Sequence, residues 1–156
     1  MARVFIGLGS NRGDPAANVR DGFDALADVG KVRTRSLLYR TRPWGHREQP
    51  DFINAVAEVE TLLAPHDLLD ALKAIEKRLG RTPSPRWHER SIDLDILLYD
   101  DIEVNEPGLI IPHLHLRKRA FALVPLAEIA PRYASWRDEL DDAELESVEP
   151  AEPIAS

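Results

Sequence analysis

Ser91-Ile92-Asp93-Leu94-Asp95-Ile96-Leu97-Leu98-Tyr99 is an apolar run of strand length that carries two aspartates at alternating positions. A strand turns residues i and i+2 to one face, roughly 7 Å apart. Ile92, Leu94, Ile96 and Leu98 are therefore expected on a buried face, with Asp93 and Asp95 together on the other. Two like charges held so close repel each other and lose hydration, which a shared proton, arginine partners or a metal would offset. Arg86, Trp87 and Arg90 stand just before the run. An isolated D-x-D is more often a solvated or arginine-paired strand end, but this company of arginines and a tryptophan points to a magnesium site that handles polyphosphate.

The elements on either side of that strand set the fold. Val4 to Leu8 reads as a first strand, ended by Gly9-Ser10-Asn11-Arg12-Gly13. Asp14-Pro15 then supplies an N-cap acid and a proline at the first helical position, and Val19, Phe23 and Leu26 give the helix one buried stripe. Val32 to Thr41 and Phe52 to Glu60 read as the next two strands. Pro65 to Leu79 is a second helix with Leu68, Leu69, Leu72, Ile75 and Leu79 inward and Gly80 as its stop. The aspartate strand completes a strand-helix-strand-strand-helix-strand order. That order predicts an α+β, ferredoxin-like βαββαβ core, a mainly antiparallel sheet flanked by helices. Beyond it, Glu106-Pro107-Gly108 reads as a turn between two short strands, and Leu116 to Ile129 as a helix interrupted by Pro125.

The chain has 156 residues, enough for one domain with its own core, and no cysteine, which excludes disulfides and Cys-ligated metal centres. The N-terminal run Met1-Ala2-Arg3-Val4-Phe5-Ile6-Gly7 lacks the apolar length of a signal peptide, and no stretch approaches the ~20 apolar residues of a membrane span. A cytoplasmic protein without membrane contact is expected. The net charge of −7 is uneven, because Arg137 to Ser156 hold eight acids and one base while the rest is balanced at 19 of each. A neutral body argues against a nucleic-acid partner, and the local cluster Lys77 to Arg90, five bases against Glu89, suits a small polyanion. Residues 1–137 are expected to form the domain. Residues 138–156 are expected to be an acidic tail, mostly disordered from about Asp141 onward and dispensable for turnover.

Two nucleotide motifs fail. Gly7-Leu8-Gly9-Ser10-Asn11-Arg12-Gly13 has its third glycine one residue late for a dinucleotide fingerprint, and no G-x-x-x-x-G-K-[ST] loop exists. Any ATP would be held by arginines and metal-bound aspartates.

Gly9-Ser10-Asn11, Tyr39-Arg40-Thr41, Gln49-Pro50-Asp51-Phe52-Ile53-Asn54-Ala55, Arg86-Trp87, Arg90, Asp93-Leu94-Asp95-Ile96, Pro112-His113 and Arg119-Ala120-Phe121 occur in the order and spacing of one family. Over roughly residues 3 to 131 the chain resembles the 6-hydroxymethyl-7,8-dihydropterin pyrophosphokinases of folate synthesis. The resemblance implies transfer of pyrophosphate from ATP, the co-substrate, to the hydroxymethyl group of a reduced pterin, with AMP released. It implies two Mg2+ ions on Asp93 and Asp95, with Arg81 in a catalytic loop and Arg90 and Arg86 gripping phosphate oxygens. Lys73, Glu76, Trp87, Ile96, Ile110, His113, Leu114 and Arg119 match nucleotide-binding positions. Thr41, Arg42, Pro43, Trp44, Phe52, Asn54, Trp87 and Phe121 match the pterin site, with Phe52 and Phe121 as stacking rings and Asn54 offering a carboxamide to the pterin edge. Arg42, Lys73 and Gly108 depart from the residues common in the family, and Thr82-Pro83-Ser84-Pro85 is a residue short. A monomer acting on small molecules is expected. The alternative is a non-catalytic module of the same fold, ligand-sensing or RNA-binding. An RNA-binding sheet would present basic and aromatic residues where this chain has two aspartates.

Overall fold

The computed structural model describes residues 1–42, 51–80 and 92–151. β1 (Ala2–Ser10) alternates so that Val4, Ile6 and Leu8 face one layer of helices while Phe5, Gly7 and Gly9 face the other. α1 (Pro15–Ala25) follows, with the Asp14 carboxylate accepting the Ala17 N–H at 3.2 Å, as its capping position predicts. The chain then returns through β2 (Lys31–Arg35), β3 (Tyr39–Thr41) and β4 (Phe52–Thr61). α2 (Pro65–Leu79) and β5 (Asp93–Tyr99) complete the core. The sheet runs β5-β1-β4-β3, with β2 also paired to β4, and all of its pairings are antiparallel. With β2 and β3 taken as one interrupted strand beside β4, this is the predicted βαββαβ order in an α+β fold.

α1 and α2 cover one face. Val19, Phe23, Leu68, Leu72 and Ile75 pack there on Val4, Ile6, Leu8, Ala57 and Val59, and each fully buried aliphatic side chain contributes about 1.5–3 kcal/mol. α2 has both ends predicted from sequence, with Pro65 at its start and the Gly80 N–H bonded back to Glu76 O at 2.8 Å. The opposite face is covered by α3 (Ala120–Ile129), whose Ala122, Leu123 and Leu126 pack on Phe5, Val56, Leu97 and Leu98. A small hairpin, β6 (Val104–Glu106) and β7 (Leu109–Ile111), stands beside β5.

Three expectations are corrected. The strand anticipated over Val32 to Thr41 is divided at Ser36, Leu37 and Leu38. The Ser36 hydroxyl accepts the Val56 N–H at 2.9 Å, and the Leu37 N–H goes to the Glu128 carboxylate at 3.0 and 3.2 Å, so this stretch bonds partly outside a regular ladder. Leu98 leaves the face of Ile92, Leu94 and Ile96 and joins Leu97 beneath α3. The β1–β5 register shifts between Phe5 and Ile6, which pair with Leu98 and Ile96, and the extra residue flips the alternation.

The third correction concerns the C-terminus. α4 (Ala134–Asp138) leads into α5 (Asp142–Glu146) and β8 (Val148–Pro150), which continue the fold through residues expected to be disordered, and β8 pairs antiparallel with β3; residues 152–156 of that expected tail lie outside the described residues. Trp136 and Leu140 pack on the α3 layer, and Arg117 meets Glu139 at 2.7 Å. Apolar contacts and strand hydrogen bonds thus offset the charge of this segment.

Gly30 marks one close approach. A Cβ there would run into the Glu60 carbonyl and lie 2.9 Å from Val59 Cγ1, where β2 begins against β4. Gly30→Ala should therefore lower stability by about 1–3 kcal/mol through forced backbone displacement. An unchanged denaturant midpoint would show that the strands separate there without cost.

Candidate active site

The site lies on the α3 face, at the end of the sheet where β1 finishes and β4 and β5 begin. Register builds it. Gly9 pairs with Asp93 on one side and Asn54 on the other, and Gly7 pairs with Asp95 and Val56. Glycines at these two positions of β1 leave a trough between the carboxylates of β5 and the side chains of β4. A cleft of about 550 Å3 results, lined by Gly7, Gly9, Thr41, Arg42, Phe52, Asn54, Asp93, Asp95, Lys118, Arg119, Phe121, Glu144 and Ser147.

Asp93 and Asp95 are exposed into it, side by side on the face that strand alternation predicts, while Leu94 and Ile96 are buried beneath. The backbone between them is fixed by Glu76 of α2, a buried carboxylate that accepts the Leu94 N–H at 2.7 Å. Asn54 is 7 % exposed and its Nδ2 donates to Thr41 Oγ1 at 2.9 Å, so that its orientation is set from β3. Phe52 and Phe121 are half-buried and both line the cleft, one from β4 and one from the first turn of α3. The Arg119 guanidinium lies 5.6 Å from the centre of the Phe121 ring.

A second cleft, about 340 Å3, adjoins the first. Leu69, Ile96, Leu109, Ile110, Leu114, His113 and His115 line it, and Asp95 borders both. Ile110 and Leu114 are 39 % and 64 % exposed, an apolar surface suited to a flat ring. His113 is held by its N–H, which donates to Leu97 O at 2.9 Å after the cis Ile111–Pro112 bond. The β6–β7 hairpin that carries Ile110 is tied to α2 by His66 and Glu106, 2.9 Å apart.

The residues singled out from sequence divide between these spaces. Thr41, Arg42, Phe52, Asn54 and Phe121 line the larger cleft together with Asp93 and Asp95, and Ile96, Ile110, His113 and Leu114 line the smaller. Arg119, matched to nucleotide positions, lines the larger cleft instead. Lys73 is exposed on α2 and Glu76 is buried against β5, and neither lines either of these two clefts. Pro43, Trp44, Arg81, Arg86, Trp87 and Arg90 lie outside the described residues. Lys118, Glu144, Ser147 and His115 line the clefts without having been singled out from sequence.

Among the described residues, no three His, Asp or Glu side chains converge on one point as a cation cage would require. Paired exposed carboxylates nonetheless fit magnesium, which takes hard oxygen donors and is commonly held by one or two carboxylates, with water and substrate phosphate completing its shell. No helix of the described residues is long and apolar enough to cross a membrane.

Residues 5–131 match the family model described as 7,8-dihydro-6-hydroxymethylpterin-pyrophosphokinase. A 2-amino-4-hydroxy-6-hydroxymethyldihydropteridine pyrophosphokinase of Methylorubrum extorquens is 47 % identical over 133 residues, covering 84 % of each chain. Its counterpart from Pseudomonas aeruginosa is 44 % identical over 133 residues, 84 % of this chain and 82 % of that one. In shape the chain is similar to a crystal structure of Plasmodium falciparum HPPK-DHPS, with a TM-score of 0.68 at 16 % identity over 89 % of this chain, which spans 43 % of that longer one. The chain therefore belongs to the 7,8-dihydro-6-hydroxymethylpterin-pyrophosphokinase family and is an enzyme, a pyrophosphokinase.

Proposed function

We propose that this enzyme transfers the pyrophosphoryl group of ATP to the hydroxymethyl oxygen of 6-hydroxymethyl-7,8-dihydropterin with magnesium, in folate synthesis. The observation that carries this reading is the position of Asp95, which borders both clefts. The residues matched to the pterin line one side of it, and most described residues matched to the nucleotide line the other. A donor and an acceptor in adjoining spaces meet at a carboxylate pair, as transfer between them needs.

In the larger cleft, Phe52 and Phe121 offer faces to a flat heterocycle. Asn54 spends a donor on Thr41 and keeps its carbonyl for the amino-bearing edge of the ring. In the smaller cleft, Ile96, Ile110 and Leu114 offer apolar surface for the adenine. Lys118 and Arg119 put positive charge beside the path of the phosphates. Asp93 and Asp95 would hold the magnesium, which when bound neutralises triphosphate charge. The pterin oxygen attacks the β-phosphorus, the bond from that phosphorus to the α–β bridging oxygen breaks, AMP leaves, and the hydroxyl proton passes to solvent.

Incubation with ATP, magnesium and the reduced hydroxymethylpterin should yield AMP and pterin diphosphate one to one, measured by ion-exchange chromatography. Attack at the γ-phosphorus would leave ADP instead. Stoichiometric ADP would overturn the reading.

A further inference from the structure

The described part of the acidic C-terminal segment forms part of the larger cleft, and its contacts converge on the helix that carries Phe121. The Glu144 carboxylate, through Oε1, accepts the Ala120 N–H at 3.0 Å, the first backbone donor of α3. That bond acts as a cap supplied from 24 residues away, where the residue before the helix, Arg119, makes no side-chain cap of its own. Ala120 is immediately followed by Phe121, so the bond fixes the backbone from which the ring projects.

Glu144 is itself held in place. Asp141 accepts the Glu144 N–H at 2.8 Å, the Ser147 hydroxyl donates to Glu144 O at 2.6 Å, and β8 then anchors the segment on β3. The Ala151 N–H adds a bond to Leu38 O at 2.9 Å. At the far end of α3, Glu128 accepts both the Leu37 N–H and the Tyr39 hydroxyl. Burial first, and then Glu128, raise the pKa of Tyr39 well above its ordinary value, so the hydroxyl keeps its proton and remains a donor. The helix is thus fastened at both ends, and only the fastening at the Phe121 end lines the cleft.

We propose that Glu144 is a positioning residue for the pterin subsite, holding the start of α3 so that Phe121 keeps its place in the cleft that Phe52 and Asn54 also line. This rests on the reaction assigned above and adds to it a role for a segment that lies beyond the residues matched by the family model. The carboxylate acts through the helix, and its charge also stabilises the positive end of α3.

The test compares Glu144→Ala, Glu144→Gln and a chain ending after Leu140, each assayed beside the parent for pterin KM, ATP KM and melting temperature. Glutamine retains a carbonyl acceptor for the Ala120 N–H, whereas alanine does not. Loss of one such bond corresponds to about 3- to 10-fold, so Glu144→Ala should raise pterin KM by that factor and leave ATP KM within about 2-fold. Glu144→Gln should recover most of the loss, and the shortened chain should lose at least as much pterin affinity as Glu144→Ala. Unchanged pterin KM in Glu144→Ala overturns the proposal. Parallel rises in both KM values with no recovery by glutamine also overturn it, because they mark a disturbance not confined to the pterin subsite. The point variants decide the matter if the shortened chain does not fold. An inactive parent overturns the reaction assignment and this proposal together, whereas an active parent with insensitive variants overturns only the role of Glu144.

Discussion

Asp95→Ala should lower turnover by roughly 10³-fold or more, with Asp93→Ala close behind. The estimate follows from the several kcal/mol that metal-ion charge stabilisation supplies to phosphoryl transfer, at 1.36 kcal/mol for each factor of ten. Both side chains are exposed in the cleft, so neither change opens a cavity in the core. Asp95 borders both clefts and Asp93 only the larger, so Asp95→Ala should affect the use of ATP and pterin alike. Melting temperature without magnesium should hold or rise, since each variant removes one of two neighbouring like charges. The measurement is kcat over a magnesium titration, with thermal unfolding as the control. Turnover near that of the parent in both variants would refute the carboxylate role.

The core was legible because its elements carry local signals. Asp14-Pro15, Pro65 and Gly80 mark helix ends by their own chemistry, and Leu68, Leu72 and Ile75 recur at helical spacing. The aspartate pair was legible because strand alternation places both side chains on one face, and both stand there. Two errors came from local exceptions to that alternation. A one-residue shift of register moved Leu98 across the sheet, and the hydrogen bonds of Ser36 and Leu37 divided a strand that composition had joined.

The C-terminal error has a different cause. Charge density favours disorder in this segment, yet Ala120-Phe121-Ala122-Leu123-Val124-Pro125-Leu126-Ala127 is apolar nearly all round. A helix of that kind needs cover on more than its sheet side. Trp136 and Leu140 supply some of that cover, and α5 and β8 also lie against α3. The signal for docking was thus in α3 rather than in the segment that docks. Glu144 and Ser147 could not be singled out from sequence, because their approach to the cleft depends on the pairing of β8 with β3.

Gly9→Ala should impair pterin use by about 10- to 100-fold, the range expected when a buried polar partner is displaced. A Cβ on Gly9 would lie 2.8 Å from Asn54 Oδ1, inside contact distance. The obstructed atom ends a side chain rather than belonging to the sheet, so the carboxamide moves and the strands stay. Asn54 is buried, and its other end is bound to Thr41 Oγ1, so turning away breaks that bond or misdirects the carbonyl intended for the pterin. Alanine is also the better strand residue, which offsets part of the cost by about 0.5–1 kcal/mol. The variant should therefore keep a melting temperature near that of the parent while pterin KM rises and ATP KM holds. Gly7→Ala makes a useful comparison, because it adds the same methyl group to the trough while the three atoms nearest its Cβ are Leu97 side-chain carbons, at 3.3–3.4 Å, rather than Asn54 Oδ1. Combining Gly9→Ala with Asn54→Ala should add little to either alone, since both remove the same carboxamide from its place. Additive losses in the double variant, or an unchanged pterin KM in Gly9→Ala, would show that Asn54 does not read the ring.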